Sequence, residues 1–276
     1  MNAGEYLASK EISCEKLNAQ VLLAHVMGSP RSWLLAHLDA PLTPSQLDSA
    51  EQAFARLEAG EPLPYILGHW EFFGLDFNMT SDVLIPRPET EQLVQQALKW
   101  LSANPKKRSV ADIGTGSGII AVSIAKHCPD AQILGTDISA AALQVARANA
   151  EKYGVSHQIE FMECDLLPNT GSARSFDLLC ANLPYIPTET MRGLPIHGRE
   201  PTLALDGGPD GLDVYRKLLT IVSGWASTQT LLLLEIEASQ GESSLGLGRS
   251  LFPNSTLQIY QDLSGHDRLL EIWFNG

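Results

Sequence analysis

The rhythm of hydrophobic and polar positions changes near residue 109. Before that point apolar residues recur at helical spacing, as in Leu17, Val21, Leu22, Leu23 and Val26, which predicts an amphipathic helix. Thr43-Pro44-Ser45-Gln46 combines an N-cap, a proline at the first helical position and a glutamine able to close a capping box. The helix it opens is predicted to run to about Leu57 and stop near Gly60. Residues 70–77 then gather aromatics around Gly74-Leu75-Asp76 and predict a short hairpin whose aromatics serve packing.

From residue 109 onward, short apolar runs alternate with helical patterns. Strands are predicted at 109–113, 132–136, 158–163, 176–181 and 230–236, with helices such as 119–127 and 140–153 between them. Alternation of this kind gives a parallel sheet covered by helices on both faces. The last two strands, 256–261 and 268–274, are joined by the turn Ser264-Gly265-His266-Asp267. That connection is too short for a crossover, so the pair should be antiparallel, with one reversed strand near the sheet edge.

Composition narrows the class. At 276 residues with 44% hydrophobic content, the chain can hold one large domain or two smaller ones with a sizeable core. A formal charge of −13 disfavours general binding to phosphate backbones and suits a partner with a basic surface. The first residues carry Glu5, Lys10 and Glu11 and lack a long apolar stretch, unlike a secretory signal. The most apolar run, Leu231 to Leu234, is too short to span a bilayer. A soluble, cytoplasmic protein is expected. Cys14, Cys128, Cys164 and Cys180 are scattered without a C-x-x-C pair, and the seven histidines show no ligand spacing. Reduced, mostly buried thiols and no metal site are expected.

Candidate chemistry falls at four successive strand ends. The first strand runs into Asp112-Ile113-Gly114-Thr115-Gly116-Ser117-Gly118, where glycines let the backbone approach a ligand. Ile119 stands where the dinucleotide fingerprint needs its last glycine, and no G-K-[ST] is present. The loop instead suits a nucleoside carrying an amino-acid chain. The second strand ends at Asp137, 23 residues after Gly114, placed to grip a ribose diol or to cap the next helix. After the third, Asp165-Leu166 can accept from an adenine amino group and pack on its ring, or serve as a plain turn. The fourth ends in Asn182-Leu183-Pro184-Tyr185. The Asn182 side-chain oxygen and the Leu183 carbonyl can accept from a planar nitrogen, and Tyr185 offers a stacking face. An ordinary turn has the same residue types. In an open α/β sheet ligands lie outside the carboxyl ends of the strands, so all four ends should line one crevice.

These residues resemble the class I S-adenosylmethionine-dependent methyltransferases. More narrowly, the chain is similar to the bacterial release-factor glutamine methyltransferases over nearly all its length. The likeness includes Glu61-Pro62-Leu63-Pro64-Tyr65-Ile66-Leu67-Gly68, Ile85-Pro86-Arg87-Pro88-Glu89-Thr90-Glu91, and Glu200-Pro201-Thr202-Leu203-Ala204-Leu205-Asp206-Gly207-Gly208. The resemblance implies a Rossmann-like α/β sheet at 85–276, a hairpin linker at 69–84 and a helical domain at 1–68 that recognises the release factor. It implies S-adenosylmethionine as donor and the glutamine of a Gly-Gly-Gln loop as acceptor. By position, Gly114, Thr115, Gly116, Ser117, Gly118, Asp137, Asp165, Leu166 and Asn182 would hold the donor, and Asn182 to Tyr185 the glutamine amide. Arg87 and Pro88 would lie in a segment that closes over the site, or simply start a helix. A monomer without direct nucleic-acid contact is expected.

One departure stands out. The family's usual tetrapeptide is Asn-Pro-Pro-Tyr, and Leu183 occupies the second position here. Asn-Leu-Pro-Tyr also resembles the form found in dimethyladenosine transferases acting on ribosomal RNA. Leucine supplies the same backbone carbonyl, and Pro184 keeps residue 183 biased toward extended backbone. Little effect on activity is therefore expected. Adenine amino methylation of RNA or DNA is the competing enzymatic reading, and a donor-binding protein without catalysis is a third.

Overall fold

The computed structural model describes residues 1–10, 15–168 and 175–275; Cys14 lies outside them. The chain divides into two compact units, Met1–His69 and Trp70–Gly276. In the first, α1 (Ala3–Lys10), α2 (Lys16–Val26), α3 (Arg31–Ala36), α4 (Pro44–Glu58) and α5 (Leu63–Leu67) form a small helical body. The Thr43 capping box is present, with the Thr43 side chain accepting from Gln46 N and the Gln46 side chain reaching back. Leu22 and Leu23 of α2 are fully buried, while Leu17 turns outward at 54% exposure. Tyr6 meets Phe54 edge-on at 5.5 Å, joining α1 to α4.

The hairpin pairs β1 (His69–Phe72) with β2 (Leu75–Asn78). Phe73 and Gly74 between them both have positive φ, 53° and 72°. A two-residue loop needs that combination to follow the strand twist. Phenylalanine rarely adopts it, and here the Phe73 N–H is held by Glu91 Oε1 at 3.0 Å. Phe72 and Phe77 are buried. Asn149 secures β2 by accepting from Asn78 N at 2.8 Å and donating to Asn78 O at 3.2 Å.

The remaining elements are α6 (Thr90–Ala103), β3 (Ser109–Ile113), α7 (Ile119–His127), β4 (Gln132–Asp137), α8 (Ala140–Lys152), β5 (Ile159–Glu163), β6 (Phe176–Ala181), α9 (Thr188–Arg192), α10 (Asp213–Ile221), β7 (Ala226–Glu235), α11 (Gly241–Leu251), β8 (Thr256–Gln261) and β9 (Asp267–Trp273). Seven strands form one sheet in the order β5-β4-β3-β6-β7-β9-β8. β3, β4, β5, β6 and β7 run parallel, and β9 is antiparallel to both neighbours. The single reversed strand therefore lies next to the edge. β7 starts earlier than its apolar run, because Ala226 pairs with Phe176 before a register irregularity.

Both faces of the sheet are covered, which is why its strands read as continuous apolar runs. On one face Ala111, Ile113, Leu179, Ala181, Leu232 and Leu234 pack against Tyr215, Leu218 and Leu219 of α10. Those helix positions repeat at i, i+3 and i+4, as an amphipathic helix requires. The chain leaves β3 toward β4 and β5, then returns to β6 on the other side of β3. At that switch the carboxyl ends of β3 and β6 are adjacent, with Ile113 opposite Ala181, and a crevice opens there.

Candidate active site

The crevice is a cleft of about 360 Å³, within the usual range for a small-molecule site. Gly114, Thr115, Gly116, Ser117, Asp137, Asp165, Leu166, Asn182, Leu183, Pro184 and Arg87 all line it. The four strand ends thus meet in one place. Gly118, Pro88 and Tyr185 are not among the lining residues. Gly118 is a packing glycine at φ 81°, since a Cβ there would lie 3.2 Å from the Ala146 backbone. Pro88 helps start α6, its carbonyl accepting from Glu91 N at 3.1 Å. Tyr185 turns its hydroxyl to Glu235 Oε1 at 3.1 Å.

The glycine loop is built on Asp112. Its Oδ2 accepts from Thr115 Oγ1 at 2.5 Å and from Ala121 N at 3.1 Å, tying the loop to the first turn of α7. Its Oδ1 is buried without a partner, and burial pushes the carboxyl up to about 7. Gly114 and Gly116 have φ of 71° and 54°, a region that suits glycine. A Cβ on Gly114 would come within 2.7 Å of Leu183 Cδ2, whereas one on Gly116 would meet nothing within 4 Å. Gly114 is therefore small for packing, and Gly116 leaves its backbone bare toward the cleft.

Asp137 bridges the second strand end to that loop. Oδ2 accepts from Gly116 N and Oδ1 from Ser139 N, both at 2.9 Å. The helix cap proper is Ser139, whose side chain accepts from Ala142 N. Asp137 keeps further lone pairs for a ligand hydroxyl. Beside it Ile138 is 51% exposed and lines the cleft. Leu166, at the third strand end, has φ 64°, and its carbonyl accepts from Thr136 Oγ1 at 2.6 Å. A leucine in that region costs roughly 1–2 kcal/mol, a strain found where side-chain placement matters. Asp165 is ion-paired with Lys217 of α10.

At the fourth strand end Asn182 Nδ2 donates to Thr90 Oγ1 at 3.0 Å. The amide's oxygen is thereby the atom left to the cleft. Leu183 is only 4% exposed, and its N–H donates to Tyr215 Oη at 3.3 Å. The Tyr215 hydroxyl donates in turn to the Glu235 carbonyl and also lies 3.4 Å from the Leu183 carbonyl, which has a second lone pair for a ligand. Glu235 is buried, and burial raises its carboxyl to about 7. Arg87 and Ile85 N both donate to Glu200, at 2.6 and 3.1 Å. That buried carboxylate clamps 85–91 to 200–208, and both segments contribute to the cleft.

Sequence reading missed Thr90, Asn149, Tyr215, Lys217 and Glu235. Asn149 links the hairpin to the glycine loop, donating to Ser117 O at 2.9 Å. Its only signal was an asparagine in an alanine-rich helix. Glu235 could have been noticed as a single acid following four leucines. Among the described residues, Cys128 and Cys180 are buried and Cys164 half-buried, all as free thiols. No cluster of three or more potential metal ligands occurs among these residues, and no helix is long and apolar enough to cross a membrane.

Comparison with known proteins places this geometry. Residues 1–68 match the PrmC N-terminal domain, and residues 90–192 the methyltransferase small domain. The release factor glutamine methyltransferase of Moorella thermoacetica is 43% identical over 263 residues, covering 95% of this chain and 92% of that protein. The chain belongs to the release factor glutamine methyltransferase family. The homologue from Geobacter sulfurreducens is 40% identical over 268 residues, covering 96% of this chain and 92% of its own. Among solved structures, the ribosomal protein L11 methylase of Lactobacillus delbrueckii subsp. bulgaricus superposes with a TM-score of 0.52 at 21% identity, covering 72% of this chain and 84% of that one. That likeness bears on the fold alone.

Proposed function

We propose that this enzyme transfers a methyl group from S-adenosylmethionine to the side-chain amide nitrogen of the glutamine in the Gly-Gly-Gln loop of peptide chain release factors. The unit Met1–His69 would recognise the release factor. The observation that carries the reading is the Asn182 amide, held by Thr90 with its oxygen free at the lip of the donor-type cleft.

The cleft fits the donor. Asp82, Asp137, Asp165 and Asp206 outnumber Arg87 and Lys217 around it, which favours a ligand bearing sulfonium and ammonium charge. Asp137 would accept from the ribose hydroxyls, and Ile138 and Leu166 would sandwich the base. Asp165 would accept from its amino group while paired with Lys217. When bound, the donor supplies an electrophilic methyl on sulfur.

An amide nitrogen is a poor nucleophile because its lone pair is delocalised. Asn182 Oδ1 and the Leu183 carbonyl would accept its two N–H groups and direct the lone pair at the methyl. Such acceptors contribute about 1–3 kcal/mol, and holding the reactants in line can contribute roughly 7–11 kcal/mol. No covalent enzyme intermediate is required, and no strong base, since the nitrogen becomes acidic only as it is alkylated.

The test is purified enzyme with labelled S-adenosylmethionine, offered release factor and RNA separately. Label on the release-factor glutamine is the expected result. Label in RNA alone would assign the site to adenine, and binding without transfer would make the chain a non-catalytic partner.

A further inference from the structure

Asn182 carries two chemically opposite atoms on one amide, and only the oxygen can accept from an incoming N–H. Its Nδ2 donates to Thr90 Oγ1 at 3.0 Å. What selects this orientation over the flipped one lies behind Thr90. Thr90 is fully buried, with its hydroxyl beside the carboxyl of Glu235. The Tyr185 hydroxyl donates to the same carboxyl, at Oε1. Glu235 follows Leu234, the register partner of Ala181, so Glu235 and Asn182 leave adjacent strands at the same level.

An ionised carboxylate only accepts. The Thr90 hydroxyl must then give its single proton to Glu235 and offer lone pairs to the amide, which matches Nδ2 and rejects Oδ1. We propose that Glu235 is a positioning residue: its carboxylate, acting through the Thr90 hydroxyl, holds the Asn182 amide with Oδ1 toward the cleft. This inference rests on Asn182 serving as the acceptor for the glutamine amide.

The chain of bonds has a second polarity. Glu235 Oε2 makes no hydrogen bond, and a proton there turns the carboxyl into a donor. Thr90 would then accept from Glu235 and give its own proton to Oδ1, flipping the amide. The charged groups facing Glu235 are Glu89, beside α6, and Arg268 of β9, with opposite effects on its ionisation. Arg87 and Arg268 face Tyr185. Tyr185 and Tyr215 both have their ionisation raised by burial, so they stay neutral near pH 7. Turnover should therefore follow the ionised form of Glu235, rising as pH passes through about 7 and then levelling.

The experiment measures kcat, KM and donor Kd against pH 6–9 with full-length enzyme and release factor, for wild type, Glu235→Gln, Thr90→Val and Thr90→Ser. Glutamine at 235 can donate or accept, so the polarity is no longer set. Expected are losses of about ten-fold or more in kcat for Glu235→Gln and Thr90→Val, donor Kd within about three-fold of wild type, and recovery in Thr90→Ser. The rising limb near neutrality should vanish in Glu235→Gln. Combining Glu235→Gln with Thr90→Val should cost little more than either alone, because both act through one chain. Unchanged kcat, a persistent limb, or additive losses would overturn the proposal. Should Glu235→Gln fail to fold, the contrast between Thr90→Val and Thr90→Ser decides, and equal kcat in those two variants would overturn it. Wild type inactive on release factor defeats the functional reading instead, a result visible before any variant is made.

Discussion

Replacing Leu183 by proline restores the family's usual tetrapeptide, yet this structure makes it a destabilising change. The Leu183 side chain is 4% exposed, with Cδ2 filling the space above Gly114. Proline withdraws those methyl groups, and the partly collapsed gap costs about 1 kcal/mol. It also removes the N–H that donates to buried Tyr215 Oη at 3.3 Å, worth about 1 kcal/mol. Against these stands the lower entropy of the unfolded chain, about 0.4–1 kcal/mol in favour of proline. The balance is a loss of about 1–2 kcal/mol, or roughly 2–8 °C in melting temperature for a unit of this size. Activity should stay within about three-fold of wild type, because the residue 183 carbonyl survives. Thermal denaturation and single-turnover transfer to release factor measure the two sides. A raised melting temperature would refute the packing argument. A greater than ten-fold loss of turnover in folded protein would show that Leu183 acts through more than its carbonyl.

Two further outcomes follow from the same geometry. Asp112 and Glu235 have carboxyls raised by burial to about 7, so each binds its proton more tightly when folded. The stability they confer is fully present below their unfolded values and is lost as pH rises through about 7, by roughly 4 kcal/mol for Asp112 and roughly 3 kcal/mol for Glu235. Urea denaturation should accordingly show falling stability between pH 5 and 8, and Glu235→Gln should flatten part of that slope; an unchanged slope would count against the burial argument. Asp137→Asn can no longer accept from both Gly116 N and Ser139 N. Calorimetry should find S-adenosylmethionine bound about ten- to a hundred-fold more weakly, and equal affinity would remove Asp137 from the donor site.

Much of the sheet was legible because its strands are buried on both faces, which leaves short apolar runs that periodicity finds easily. β3, α7 and β6 begin and end where the pattern places them. The strand-end rule also predicts that Gly116, Asp137, Leu166 and Asn182 share one cleft, which they line. What escaped depends on register between distant segments. No local signal pairs Glu235 with Asn182, because their meeting requires Leu234 to lie opposite Ala181. Nor does spacing show that Glu200 holds Arg87 across 113 positions. Tyr185 depends on the same long-range register: the buried carboxylate that takes its hydroxyl, Glu235, lies 50 positions away.

The most direct measurement is single-turnover methyl transfer by Asn182→Ala, with donor affinity determined in parallel. Transfer to the release-factor glutamine should slow by about ten- to a hundred-fold or more while the S-adenosylmethionine Kd stays within about three-fold of wild type. Undiminished turnover in that variant would contradict the assignment of Asn182 as the acceptor that prepares the glutamine amide.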